Sequence, residues 1–198
     1  MKTGLFTIAI ALTLMTLPSV AAASTILSAG SGDWEYTFVD PTADLTWNTT
    51  TGGWATGAAP FGTETTGDFA YATLWPADAT ATLNDDLWVR RTVDFTCYDL
   101  NTIQWNLGVD NGYKLYLNGV LVSDDNAEGY TVKWEYTGMF PGALPGMNIL
   151  ALALEDHGGL TAFDMEINGQ AVPDTGNTMP LLLAGLGVLG IGYSRFRL

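Results

Sequence analysis

A strict alternation of apolar and polar residues constrains the fold of this chain more than any other feature. In one clear example, Trp105 and Leu107 alternate with Asn106 and Gly108. Because successive side chains of a β-strand point to opposite faces of a sheet, a period of two residues predicts a strand with one buried face. The pattern is clearest in four stretches, residues 103–109, 113–117, 132–136 and 163–167. No long run with the 3.6-residue period of a helix interrupts the middle of the chain, so an all-β domain is predicted.

Turn signals favour an antiparallel arrangement of these strands. Asn118 and Gly119 separate two apolar runs, and both residue types tolerate positive φ, which favours a two-residue hairpin. Residues 149–154 are nearly all apolar, as expected for a central strand covered on both faces. Residues 59–62 predict a fixed turn that packs Phe61 on the core. We therefore predict about eight to ten strands folded into an antiparallel jelly-roll β-sandwich.

The N-terminus has the layout of a secretory signal peptide. Lys2 gives a positive start, residues 5–17 form an apolar run, and the small residues 21–23 follow. This order predicts export and cleavage between Ala23 and Ser24. A retained N-terminal membrane helix is the alternative interpretation.

A second apolar segment lies near the C-terminus. Residues 179–193 contain no charge over 15 positions. A helix of that length spans about 22 Å, less than a hydrocarbon core of about 30 Å. Arg195 and Arg197 follow it, where the positive-inside rule would hold them in the cytoplasm. The pattern predicts a short transmembrane helix that enters the membrane transiently, with a simple single-span anchor as the alternative.

This C-terminal region resembles the PEP-CTERM class of bacterial sorting tails, which combine a Pro-containing motif, a short Gly- and Leu-rich helix and a basic end. The motif here is Val172-Pro173-Asp174-Thr175-Gly176, similar to the Val-Pro-Asp-Ser-Gly variant with threonine in place of serine. The resemblance implies recognition by an exosortase-type membrane enzyme that removes the helix. It also implies release to the bacterial cell surface or to an extracellular biofilm matrix.

The chain thus divides into a signal peptide at 1–23, a β-sandwich at 24–171 and a sorting tail at 172–198. The whole chain is strongly acidic, with 21 Asp and Glu against 7 Lys and Arg, a net charge of −14. Nucleic acid is therefore not an expected partner, because phosphate contacts need Lys and Arg. An acidic surface suits an exported protein and attracts divalent cations.

Cysteine and histidine each occur once, which limits the chemistry of the chain. Cys97 cannot form an intrachain disulfide, and its phase in residues 93–97 predicts a buried thiol on a strand, with an intermolecular bridge as the alternative. The single His157 excludes a multi-histidine metal site. No nucleophile elbow, phosphate-binding glycine loop or metal-ligand cluster is evident, so the chain is not expected to be an enzyme.

Four motifs in residues 54–167 resemble those of the galactose-binding-like jelly-roll domain. They are the paired Arg90-Arg91, the Asp-Asn-Gly turn at 110–112, the Tyr-Leu-Asn-Gly hairpin at 116–119 and Gly-Met-Asn at 146–148. The resemblance implies a jelly roll of carbohydrate-binding type. The two arginines point to opposite faces of one strand, and one of them is expected to neutralise a carboxylate.

Sugar binding needs an aromatic face beside polar groups that pair with hydroxyls, and this requirement selects candidate residues. Tryptophans in regular strands are expected in the core, namely Trp88, Trp105 and Trp134. Those in less regular segments are freer to be exposed, namely Trp34, Trp47, Trp54 and Trp75. Polar groups are expected from the loops at 110–112 and 155–159. The candidate ligand-binding residues are Trp54, Asp110, Asn111, Asp156 and His157.

No cofactor or metal is expected, although Asp156 with backbone carbonyls could contribute to a Ca²⁺ site. The turn at 110–112 and the loop at 124–126 are also explained by turn chemistry alone. Two functions remain open. The domain either binds extracellular polysaccharide or is a structural surface module without a soluble ligand.

Overall fold

The computed structural model describes residues 22–63, 70–76, 86–126 and 133–172. In these ranges the chain forms twelve β-strands and one short 3₁₀ turn, Leu100–Thr102. The strands are β1 (Ala23–Leu27), β2 (Trp34–Thr37), β3 (Ala55–Gly57), β4 (Phe61–Gly62), β5 (Thr73–Leu74), β6 (Leu87–Asp94), β7 (Gln104–Asp110), β8 (Tyr113–Leu117), β9 (Val120–Asp125), β10 (Tyr136–Met139), β11 (Met147–Leu154) and β12 (Ala162–Gln170).

The described strands form two six-stranded sheets. Sheet A has the order β10-β7-β12-β4-β5, with β1 also paired to β12, and sheet B has the order β3-β2-β6-β11-β8-β9. All pairs are antiparallel except the short pair β4 and β5. The long central strands carry the predicted alternation, so each sheet has one apolar face.

The apolar faces of the two sheets meet in one core. In sheet A, Leu107 pairs with Met165 and Val109 pairs with Phe163, and all four side chains are buried. Leu152 on the central strand β11 faces them from sheet B within the same cluster. The predicted β-sandwich is therefore confirmed in its two-layer, almost entirely antiparallel form.

The predicted turns form as expected. Asn118 and Gly119 connect β8 to β9 with φ values of 51° and 79°, so both central residues occupy the left-handed region that a two-residue hairpin requires. Phe61 is completely buried in the core, as its turn predicted. Residues 149–154 lie within β11, between β6 and β8.

Cys97 corrects one prediction. The alternation in residues 93–97 predicted a buried thiol on a strand, but β6 ends at Asp94 and Cys97 is exposed in the turn that follows. The Asp94 side chain accepts a hydrogen bond from the Thr96 N–H at 2.8 Å, which bends the backbone out of the sheet. Cys97 then adopts a φ of 66°.

The tryptophans correct another. Trp34, Trp47 and Trp75 were expected to be freer for exposure, but Trp34 and Trp75 are completely buried and Trp47 is buried as well. Trp34 begins β2 and packs edge-to-face on Phe163, with ring centres 5.2 Å apart. Trp134 was expected in the core, but it lies half-buried in a turn because β10 begins only at Tyr136.

The acidic pair at 124–125 also differs from its prediction as part of a hairpin loop. Asp124 and Asp125 are the last residues of β9 and pair with Lys114 and Tyr113 of β8. The turn between these two strands is at the other end, at Asn118-Gly119. The two carboxylates are nevertheless exposed, as a solvated segment predicts.

The two predicted processing sites lie at the borders of the described residues. Ala23 and Ser24 begin β1 and pair with Gln170 and Gly169. Val172 follows β12, while Pro173–Gly176, Arg195 and Arg197 lie outside the described ranges. Within those ranges, no helix has the length and apolar character needed to cross a membrane.

Candidate functional site

The outer face of sheet B carries an aromatic cluster that the alternation alone would assign to solvent. Ala151 and Ala153 of β11 point outward, and their small side chains leave space above the centre of the sheet. Trp88 of β6 stands beside Ala153, and Tyr116 of β8 stands beside Ala151 in the neighbouring register. Small residues on the central strand therefore form the floor between large aromatic residues on either side.

The loop at 38–54 closes over part of this face and supplies Trp47. The Trp47 ring packs edge-to-face on Tyr116 at 5.4 Å and lies parallel to Trp54 at 6.4 Å between ring centres. Trp47 and Trp88 are only 6% and 5% exposed. The loop thus buries most of both indole rings.

Arg90 holds this loop in place. Its Nε lies 2.9 Å from Glu35 Oε2, and its two Nη groups donate to the carbonyl oxygens of Trp47 and Gly52 at 2.9 and 2.7 Å. Its guanidinium carbon lies 3.8 Å from the ring centre of Trp54. Glu35 also accepts a hydrogen bond from the Gly52 N–H. The prediction that one of the paired arginines neutralises a carboxylate is therefore confirmed.

A groove of about 400 Å³ remains open beside the loop. Its apolar lining comes from Trp47, Trp88, Tyr116, Ala153 and Leu154. Its polar lining comes from Asp40, Thr42, Asp86, Lys114 and Glu155. Sites for small ligands commonly combine such an apolar wall with a few polar groups, in volumes of about 300–1,000 Å³.

Lys114 and Glu155 form an ion pair within this lining. The Lys114 Nζ lies 2.8 Å from Glu155 Oε1, and this hydrogen bond raises the pKa of Lys114. The second carboxylate oxygen of Glu155 lies 3.4 Å from His157 Nε2. Glu155 therefore links the groove to the loop that follows β11.

Asp86 is a half-buried carboxylate of the groove. Burial raises its pKa, and the nearby carboxylates of Glu155 and Asp156 raise it further. A hydrogen bond from the Asp156 N–H to Asp86 Oδ1 at 3.1 Å and the nearby His157 act in the opposite direction. Such a site favours whatever neutralises the carboxylate, either a proton or a cation.

Four of the predicted candidates meet at this end of the sandwich. The side-chain oxygen of Asn111 accepts from the His157 N–H at 2.7 Å, and the Asn111 N–H donates to the Glu155 carbonyl at 3.0 Å. Asp156 accepts from the Gly158 N–H at 2.8 Å. Asp110 precedes Asn111 in the same turn. These bonds fix the β7–β8 turn against the loop after β11, which also carries the groove residue Glu155.

Trp54, the fifth candidate, lies apart from them. It is half-buried behind Trp47 and does not line the groove. The predicted Ca²⁺ ligand Asp156 is largely buried, and the described part of the chain brings no three His, Cys, Asp or Glu side chains together in a way that could hold a metal ion.

Most residues that line the groove were not among the ligand-binding candidates predicted from the sequence. Tyr116 and Trp88 carried a usable signal, because both are aromatic residues in the outward phase of their strands, between inward neighbours such as Leu115 and Val89. Asp40 and Asp86 carried none, since each is one of many carboxylates whose neighbours are set by the fold.

A larger depression of about 640 Å³ lies elsewhere on the sandwich, where the 3₁₀ turn faces the segment after β10. Its lining is Leu100, Asn101, Met139, Phe140, Pro141, Gly142 and Ala143. Its lining has one polar side chain, Asn101, and no charged one, so it offers fewer groups to orient a ligand than the aromatic groove does. The aromatic groove is therefore the better candidate site.

No protein-family model matches this chain, and no curated protein matches it by sequence. Among solved structures, a β-glucuronidase from an uncultured Clostridium species is similar at 8% identity and a TM-score of 0.47, over 80% of this chain and 31% of that one. A β-glucuronidase from Ruminococcus gnavus in complex with uronic deoxynojirimycin aligns at 9% identity and a TM-score of 0.46, over 75% of this chain and 29% of that one. A PA14 sugar-binding domain from an RTX adhesin aligns at 24% identity and a TM-score of 0.29, over 41% of this chain and 45% of that one. The chain spans about three tenths of the length of these glucuronidases.

Proposed function

We propose that this chain is an exported, non-catalytic surface protein whose β-sandwich, of the galactose-binding-like jelly-roll type, binds a saccharide in the aromatic groove. One observation carries the proposal. Tyr116, Trp47 and Trp88 share a groove of about 400 Å³ with three carboxylates and an ammonium group.

The groove offers the two kinds of contact that a sugar ring needs. The partly exposed Tyr116 and the accessible edges of the two tryptophans would contact the apolar face of a pyranose. Asp40, Asp86 and Lys114 would bond its hydroxyls. Trp88 and Tyr116 stand on strands and Arg90 fixes the loop that carries Trp47, so the groove is formed before a ligand arrives.

The bonds already made by the carboxylates favour binding over catalysis. Glu155 is paired with Lys114 and lies beside His157, while Asp86 accepts a backbone N–H. A glycosidase needs two carboxyl groups set across the scissile bond, one of them free to exchange its proton. We therefore propose a binding role for this groove.

Glycan binding by the purified full-length chain tests this function. Tyr116→Leu and Asp40→Ala should each weaken binding by about tenfold, since each removes a contact of about 1–2 kcal/mol. Gln104→Leu, on the outer face of sheet A, is the matched control and should bind like the wild type. Equal binding by all three variants would place the ligand elsewhere, and no binding to any glycan would leave the structural role.

The second candidate function, a structural surface module, has one observation in its favour. The described tryptophans are mostly covered by protein, and Trp34, Trp47, Trp75, Trp88 and Trp105 are all buried. A domain of this kind would act through packing or through covalent attachment to extracellular polymer.

Processing of the C-terminal tail is proposed for both functions. The last strand, β12, ends at Gln170, and Val172 is half-exposed beyond it. Cleavage in residues 172–176 would therefore leave every described strand intact. The intact mass of the protein recovered from the surface of its native host is the test. A C-terminus within residues 172–176 supports sorting, and retention of Leu198 would establish a simple membrane anchor instead.

A further inference from the structure

The charge of the groove narrows the class of sugar that fits it. Three carboxylates, Asp40, Asp86 and Glu155, stand against the single ammonium of Lys114. Lys114 is already paired with Glu155 at 2.8 Å, so that pair is close to neutral. Two carboxylates without a basic partner in the lining remain, at Asp40 and Asp86.

The two arginines of β6 do not offset this charge. Arg90 directs its guanidinium to Glu35 and to two loop carbonyls, on the far side of Trp47. Arg91 points to the other face of the strand, where it donates to Ser31 Oγ and to the Gly32 carbonyl. Neither arginine lines the groove. A uronic acid would therefore meet carboxylates without a free cation to pair with.

Asp86 adds a preference for a cation rather than a neutral hydroxyl. It is half-buried next to Glu155 and Asp156, and this environment raises the pKa of Asp86. A positive charge placed in the groove would relieve the repulsion among these carboxylates. A neutral sugar would leave this repulsion in place and would also remove water from the carboxylates, which is unfavourable for charged groups.

We infer that the ligand of the groove is an amino sugar with a free amine, such as the hexosamine units of a deacetylated polysaccharide. This inference rests on the proposed function of the groove as a sugar-binding site. The ammonium would lie against Asp86 and Asp40, and the ring would lie against Tyr116. Charge-assisted hydrogen bonds are stronger than neutral ones, so the amine is the group that sets the preference.

The test compares three oligosaccharides of equal length on the full-length chain at mildly acidic pH, where the amines of glucosamine units carry their proton. They are a β-1,4-linked glucosamine tetramer, its fully N-acetylated counterpart and a galacturonic acid tetramer. We expect the free amine to bind about tenfold more tightly than the N-acetylated form, the range of one hydrogen bond to a charged group. The uronate should bind most weakly.

Two matched variants test whether the Asp86 carboxylate causes the preference for the amine. Asp86→Asn keeps the oxygen that accepts the Asp156 N–H while removing the charge, so it should abolish the preference for the amine without unfolding the domain. Asp94→Asn removes the same charge at the exposed end of β6, the strand that follows Asp86, and should leave the preference unchanged. An unchanged thermal unfolding midpoint in each variant confirms that the fold is retained.

The possible results distinguish the amino-sugar inference from the proposed sugar-binding function on which it rests. Equal binding of the amine and N-acetyl forms, or tighter binding of the uronate, overturns the amino-sugar inference. If Tyr116→Leu still weakens sugar binding in that case, the groove remains the proposed sugar site. Equal losses in Asp86→Asn and Asp94→Asn also overturn it, because they assign the attraction to overall charge. No binding of any of the three, nor of other glycans, overturns both.

Discussion

The outer faces of the two sheets follow the same alternation but carry different chemistry. On sheet A, outward side chains are polar and bond one another, with Asn106 Nδ2 donating to Glu166 Oε1 at 2.7 Å. Gln104 Nε2 donates to Thr137 Oγ1 at 2.9 Å on the same face. On sheet B the outward positions hold large aromatic residues, which a loop covers in part and a groove leaves open in part.

Alternation therefore identifies the inner face of a strand and leaves the role of the outer face undecided. A polar outer face can be left in water at little cost. An aromatic outer face needs a cover, because each exposed indole keeps a large apolar area in water. In sheet B the loop at 38–54 is that cover, and the groove is the part of the face that it leaves open.

Replacing Arg90, which holds the loop at 38–54 over sheet B, has the largest expected effect on the difference between the two outer faces. Arg90→Ala should lower the free energy of unfolding by about 3–5 kcal/mol, since it leaves Glu35 and two loop carbonyls without their buried partner. Chemical denaturation measures the loss, and limited proteolysis should show faster cleavage within residues 38–54. A loss below about 1 kcal/mol would mean that the loop is held by its other contacts.

A smaller loss of stability is expected when Trp54, whose ring lies against the Arg90 guanidinium, is replaced. Trp54→Ala should cost about 2–3 kcal/mol, because it removes both the contact with Arg90 and the parallel packing on Trp47. Trp54→Phe keeps an aromatic ring in place and should recover about half of that loss. If the two variants unfold alike, ring stacking has no part in holding the loop.

The counterpart on sheet A should be milder. Asn106→Ala removes the hydrogen bond to Glu166 but leaves both positions accessible to water, so we expect a loss of about 0.5–1.5 kcal/mol in a denaturation experiment. A cost as large as that of Arg90→Ala would contradict the comparison, since the two outer faces would then depend on their side chains equally.

The smallest expected effect is a change in the pH dependence of stability at Asp164, a buried carboxylate of sheet A. Asp164 is completely buried on the outward side of β12, accepts from the Gly30 and Met165 N–H groups, and has Lys133 Nζ at 3.3 Å. Burial is the dominant influence and raises the pKa of Asp164 above its ordinary value of 3.8. The folded state therefore binds this proton more tightly than the unfolded state does.

By linkage, the contribution of Asp164 to stability is present below the ordinary pKa and is lost as pH rises through the raised folded pKa. Asp164→Asn keeps the oxygen acceptor and removes the titration. The free energy of unfolding of the wild type minus that of the variant should thus fall as pH rises through this window. A difference that stays constant with pH would show that the carboxyl titrates normally.

Much of the fold was readable in the sequence because it depends on local pattern. The period of two predicted the buried phases of β7, β8 and β12, and Asn118-Gly119 predicted its hairpin. The prediction for Cys97 was wrong because the Asp94 side chain accepts a hydrogen bond from the Thr96 N–H, and the strand ends there although the alternation continues. The predicted exposure of Trp34 and Trp75 was wrong because an irregular local sequence does not indicate which side chains tertiary packing will bury.

The candidate site was less accessible to sequence reasoning. Asn111, Asp156 and His157 were chosen as loop residues and do lie together, because the ends of β7 and β11 meet at one end of the sandwich. Their side chains hold the loops, while the groove itself is lined by Asp86, Lys114 and Tyr116. Lys114 and Tyr116 share the outer face of β8, but Asp86 lies just before β6, and no spacing along the chain relates it to them.

The all-β class, the inner faces of the long strands and the acidity of the chain follow from residue type and period, so they could be predicted without a structure. Tertiary packing set which outward aromatic residues are covered, that Arg90 faces Glu35, and that Lys114 pairs with Glu155. These contacts could not be predicted because the partners lie far apart along the chain. Arg90 and Glu35 are 55 residues apart, Lys114 and Glu155 are 41 apart, and such pairs exist only once the sheets have placed them side by side.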